Sequence, residues 1–181
     1  MVFAHDTEVS LQAAVTLANS CLAPDTLATQ DELDAFYKQY EYTGRRDRDQ
    51  AELDAVRRLR PRLRDLLTAE RDSAVDLVNQ MLAETTAIPQ LVRHDRFDWH
   101  VHAVDPDALL ATRITVETAM AMVDVIRADE MSRLDVCADT ECDGIVLDLS
   151  RNRSRRFCSS SCGNRNAVAA YRARRSEASP L

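Results

Sequence analysis

Four cysteines stand in two close pairs toward the carboxyl end of the sequence. Four residues separate Cys137 from Cys142, three separate Cys158 from Cys162, and fifteen lie between the pairs. Thiolates at this spacing can converge from two short knuckles on one tetrahedral ion, and soft sulfur ligands select zinc or iron over magnesium or calcium. Four sulfurs leave no open coordination position, so the expected cofactor is one structural Zn²⁺. A disulfide framework would need an oxidising compartment, and the amino terminus reaches Asp6 and Glu8 before any hydrophobic run that could serve as an export signal. The expected location is cytoplasmic. Cys21 stands by itself on an apolar helix face and reads as a small core residue.

Arginine supplies the second chemistry. The 181 residues carry 23 basic and 30 acidic side chains, a formal charge of −7, which by itself argues against a nucleic-acid partner. The average conceals a division: residues 1–150 hold 15 basic and 29 acidic groups, whereas residues 151–175 hold eight arginines and no acid. Lys38 is the sole lysine, and arginine is the residue suited to bidentate contact with phosphate. Seven residues apart, Arg165 and Arg172 project within about 20° of each other on a helix. Ala169 and Ala173 border them, and Arg151 and Arg153 add a second basic edge. Val168 and Tyr171 fall on the neighbouring face and are expected to pack on the finger's hairpin. Aromatic side chains for base stacking are scarce, so this footprint addresses phosphates and shows no base-reading code. The same division of charge also allows the basic segment to dock on the acidic one, within a chain or in a homodimer.

Other residues offer weaker chemistry. His100 and His102 alternate on one strand face, with His94 across a hairpin, but histidines beside aspartates are usually exposed or hydrogen-bonded, and no metal is expected there. Asp95 and Asp98 have no nucleophile with a convergent base, so no enzyme is expected. The three glycines, Gly44, Gly144 and Gly163, form no phosphate-cradling loop, which excludes Rossmann and P-loop nucleotide sites. Should the amino-terminal part receive a small-molecule signal, Asn19, Asn79, Arg113 and Trp99 are the candidate polar residues. No apolar stretch reaches the roughly 18 residues of a membrane span, so no membrane partner is expected.

The elements that must position these groups are mostly helical. Apolar residues from Val9 to Leu22 recur at helical spacing; Thr29 and Glu32 form a capping-box pattern before a short helix that Gly44 should stop. The run from Arg48 to Leu67 has one leucine-rich face and a charged, solvated one, with Pro61 expected to kink it. Asp72 is placed to cap a fourth helix. Residues 88–104 are β-formers and read as a hairpin, and Asp105-Pro106 should open a central, mostly buried helix to about Arg127 with Arg113, Glu117 and Asp124 on its polar stripe. A strand from Ile145, a turn at Ser150–Arg153 and a returning strand at Arg155–Phe157 would clip the metal, and a helix capped by Ser159 or Ser160 would carry Cys162. The expected fold is mainly α with a small β-hairpin (α+β). It comprises a helical domain over 1–130, a treble-clef-like zinc finger over 131–175 with a core of its own, and a tail at 176–181.

Arg155-Arg156-Phe157-Cys158, Cys162-Gly163-Asn164-Arg165 and Ala169-Ala170-Tyr171-Arg172-Ala173-Arg174-Arg175 resemble the CGNR zinc-finger family. Leu17-Ala18-Asn19-Ser20 is similar to the Asn-Thr motif of that family's first helix, with serine here for threonine. The resemblance implies a bacterial protein with a helical, stress-induced transcription-regulator domain and a finger that binds nucleic acid; the expected partner is DNA sooner than RNA. The candidate contacts are Arg151, Arg153, Asn164, Arg165, Arg172 and Arg175. The alternative function is an RNA-binding or protein-interaction adaptor whose finger is a structural or dimerisation clamp.

Overall fold

A computed structural model describes residues 2–93 and 100–177; the expected positions His94, Asp95, Asp98 and Trp99 lie outside them. In chain order the elements are α1 (His5–Asn19), α2 (Gln30–Gln39), α3 (Gln50–Leu67), α4 (Arg71–Glu84), β1 (Gln90–Val92), β2 (His100–His102), α5 (Leu110–Arg127), a 3₁₀ turn (Met131–Arg133), β3 (Leu134–Val136), β4 (Ile145–Leu147) and α6 (Ser160–Glu177). The fold is mainly α with two small antiparallel hairpins, β1–β2 and β3–β4.

α5 is the centre. Leu110, Ile114, Val116, Ala119, Met122 and Val125 bury several of its sides, and α1 and α4 pack against it. α1 can approach closely because Ala13, Ala14 and Ala18 lie on its buried face beside Leu11 and Leu17. α3 contributes Leu53, Val56, Leu63, Leu66 and Leu67, and its helix runs unbroken through Pro61. Its charged residues are less solvated than their pattern suggests. Arg60 is buried and grips Asp25 and the Leu27 carbonyl, while Glu52 is buried beside Arg46. Such burial is tolerable because each charge is paired and hydrogen-bonded.

Several helix ends differ from the sequence expectation for local reasons. The Thr29–Glu32 capping box is present, but α2 stops before Gly44, where Glu41 takes a left-handed φ of 55°. Gly44, at φ 87°, instead lets the chain pass close to the Pro106 carbonyl. α4 starts at Arg71, after Glu70 and without a side-chain cap, so Asp72 sits in the first turn. Asp105 bonds the Asp107 and Ala108 amides in a turn of its own, which delays α5 to Leu110.

The separate core expected for the metal finger is a small cluster, Cys137, Val146 and Cys162 with Cys142, Phe157 and Cys158 packed against it, and the other buried apolar residues of its hairpin do not belong to that cluster. Leu134, Ile145 and Leu147 belong to the same buried cluster as Leu17, Leu53 and Met122, with Leu149 packed against it. Asn19, the last residue of α1, donates to the Ile145 carbonyl (2.8 Å) and accepts from the Ile145 amide (2.7 Å). Arg133 bonds the Asp148 and Ser150 carbonyls and Glu130.

Candidate metal centre and basic face

β3 and β4 pair Val136 with Ile145 and deliver Cys137 and Gly144 to the same end of the hairpin, where the Cys137 amide donates to the Gly144 carbonyl (2.7 Å). The loop between them is a tight knuckle. The Asp139 carbonyl accepts from the Cys142 amide and its carboxylate from the Glu141 amide. Gly144 is required by crowding: a Cβ there would meet the Cys158 sulfur at 2.7 Å and the Cys142 sulfur at 3.2 Å.

The second knuckle is not the expected returning strand. Asp148, buried, accepts the Ser150 and Arg155 amides on its two carboxylate oxygens and so closes the turn with a side chain, while Arg153 adopts a left-handed φ of 48°. Residues 155–157 then form no ladder beyond the Ala138 amide bond to the Arg156 carbonyl, and β4 pairs with the preceding β3. Ser159 caps α6 through the Cys162 amide (3.2 Å).

These turns bring Cys137, Cys142, Cys158 and Cys162 together with all sulfurs within 4.8 Å of one another. Cys142 and Cys158 are 3.5 Å apart, Cys158 and Cys162 3.8 Å. A tetrahedral zinc thiolate site has sulfur edges of about 3.8 Å, so the donor set fits one zinc ion. Cys137 and Cys162 are buried, the other two half-buried, and Phe157 and Val146 cover the cluster. Burial, followed by the neighbouring thiols Cys142, Cys137 and Cys162, pushes the Cys158 thiol well above its ordinary range. The metal must therefore displace protons to hold the set as thiolates, which makes its binding pH-dependent. Among the described residues no other group of histidines, cysteines or acids is placed to hold an ion. The His100 side chain and the His94 position are outside that description.

The basic residues divide into two sets. Arg153 is committed to the helical part, bonding both oxygens of Glu130 (2.9 and 2.8 Å) and the Ser132 hydroxyl. Arg165 is ion-paired with buried Asp139 at 2.6 Å, and Arg155 reaches the Phe157 and Cys158 carbonyls. The guanidinium bonded to Asp139 holds that carboxyl below the usual carboxylate range. Arg151, Arg156, Arg172, Arg174 and Arg175 are exposed, as is Asn164, and Arg175 stacks over the Tyr171 ring. Arg156 and Arg174 were not singled out from the sequence. Arg153 and Arg165 are exposed as well, and what sets those two apart is pairing with a carboxylate, of which composition carries no signal. Val168 and Tyr171 do not pack on the hairpin: they are 48% and 54% exposed, because α6 leaves the core after its first turns.

The candidate ligand residues are likewise placed. Asn19 is occupied by Ile145, buried Arg113 by the carbonyls of Thr43, Arg45 and Ala108, and Asn79 is exposed on α4. Cys21 is exposed rather than buried, since α1 ends two residues before it.

The family model described as CGNR zinc finger matches residues 133–175, and the one described as Putative stress-induced transcription regulator (ABATE) matches residues 11–129. No curated protein matches the chain. With α2 to α5 within the second match and its four converging sulfurs within the first, the chain belongs to the ABATE family and carries a CGNR zinc finger.

Proposed function

We propose that the protein is a non-enzymatic transcription regulator that binds duplex DNA through the outward arginines of its zinc finger. The observation that carries this reading is the outer part of α6. Residues 167–175 are exposed at every position and include Arg172, Arg174 and Arg175, with Arg151 and Arg156 exposed on the preceding turn. Isolated helices of this length are marginal in water, and a cationic one gains most from a polyanion. Arg153 and Arg165 leave the candidate contact set because carboxylates already hold them; Asn164 remains in it. The Arg153–Glu130 pair also gives the clamp reading a real, if local, basis.

Zinc-loaded full-length protein titrated with nonspecific duplex at several salt concentrations tests the proposal. Neutralising about four or five phosphates gives a slope of log affinity against log salt of roughly −4. Arg172→Ala should reduce that slope by about one and weaken all sequences alike, whereas Arg153→Ala should leave it unchanged. Recovery of transcripts instead of duplex fragments from cells would favour the RNA adaptor, and no recovery at all the clamp.

A further inference from the structure

We infer that Arg165, in the finger's Cys-Gly-Asn-Arg motif, is an outer-shell positioning residue of the zinc centre that protects the Cys162 thiolate. Four thiolates around one Zn²⁺ leave a net charge of −2 in a partly buried site, and such a site needs compensating donors aimed at its sulfurs. Backbone amides supply two: Gly144 to Cys142 and Cys158 to Cys137, each at 3.4 Å. The Cys162 sulfur receives a side chain. Arg165, one helical turn further along α6, places Nη2 3.5 Å from Cys162 Sγ. Among the described residues no other arginine is recorded on a ligand sulfur.

The same guanidinium is anchored by a carboxylate along its Nε–Nη2 edge. Its Nε donates to Asp139 Oδ2 at 2.7 Å and its Nη2 lies 2.6 Å from that oxygen, while Asp139 is 3% exposed in the knuckle between Cys137 and Cys142. Arg165 therefore joins the first knuckle to the helix that carries the last ligand. A hydrogen bond to a zinc thiolate draws charge from the sulfur and lowers its nucleophilicity toward oxidants and alkylating agents. Asp139 fixes the fork so that one arm reaches the sulfur, a geometry that lysine can supply only as a point charge.

The test uses zinc-loaded full-length protein and variants Arg165→Ala, Arg165→Lys and Asp139→Asn. Zinc release to a chromogenic chelator is followed during reaction with N-ethylmaleimide, and mass spectrometry assigns the order of cysteine alkylation. Outer-shell substitutions typically weaken metal retention by about 10- to 100-fold. Arg165→Ala should release zinc at least about tenfold faster, with Cys162 becoming the first cysteine modified; Arg165→Lys should restore part of the protection, and Asp139→Asn should resemble Arg165→Ala. Equal acceleration at all four cysteines would mean general loosening and would overturn the role, as would zinc retention unchanged from the parent. If Arg165→Ala fails to fold, the alkylation order in Asp139→Asn and Arg165→Lys decides by the same criteria.

Discussion

Glu117 is an acid on the most buried helix of the molecule, near Tyr42, Arg113 and Asp6. Among the described residues the buried Tyr42 hydroxyl has no hydrogen-bond partner, and the surroundings offer the carboxylate little solvation. Burial pushes the Glu117 carboxyl up from 4.5 to about 7, against the attraction of Arg113 and with some help from Asp6. Between those two values the folded chain holds a proton that the unfolded chain has released. The resulting stabilisation is complete below about pH 4.5 and is lost as pH rises through 7, a swing of roughly 3 kcal/mol. Glu117→Gln should flatten this dependence and raise stability at pH 8, as measured by urea unfolding between pH 5 and 8; parallel profiles for both proteins would refute the assignment. Glu117 was visible in the sequence as part of a polar stripe, but its environment was not. The same holds for Asp139, which gave no sign of being the anchor for Arg165. The cysteines were legible because their spacing is itself the constraint, whereas Asn19 meets a partner 126 residues away that no local pattern encodes.

At the scale of elements, helix existence was readable from apolar periodicity and the Thr29–Glu32 cap, and the misreadings fall where a tertiary contact overrides local chemistry. Gly44 looked like a helix stop but serves a close approach to Pro106, and the turn after β4 is closed by Asp148 rather than by a second strand. α6 shows the converse case, a helix whose first turns are anchored and whose remainder is not. Cys162, the Arg165–Asp139 pair and the Asn166 bond to the Cys162 carbonyl fix its start, after which residues 167–175 are exposed at every position. Amide hydrogen exchange should accordingly show protection through about Asn166 and rapid exchange beyond it, with protection spreading outward when duplex DNA is added. Slow exchange through Tyr171 in the protein alone would contradict the exposed helix.

For the whole molecule the decisive feature is the shared core. A finger with an independent core would melt on zinc removal and leave the helical part standing. Here Ile145 and Leu147 are 1% and 6% exposed within the cluster that includes α1, α3 and α5, so disturbing the hairpin strips apolar cover from the helices as well. Chelation should therefore lower the melting temperature of the entire chain in a single transition, because zinc binds the folded state alone. Two separated calorimetric transitions in the chelated protein would show that the parts unfold independently. The finger cut from its helices would also lose this cover, which makes the full chain the proper object for binding measurements. Asn19 adds a consequence of another kind. A two-stranded hairpin has an open edge, and unpaired edges recruit strands from other molecules. By occupying both the amide and the carbonyl of Ile145, the Asn19 side chain stands where the first rung of such an intruder would form, so the end of α1 also guards the finger against self-association.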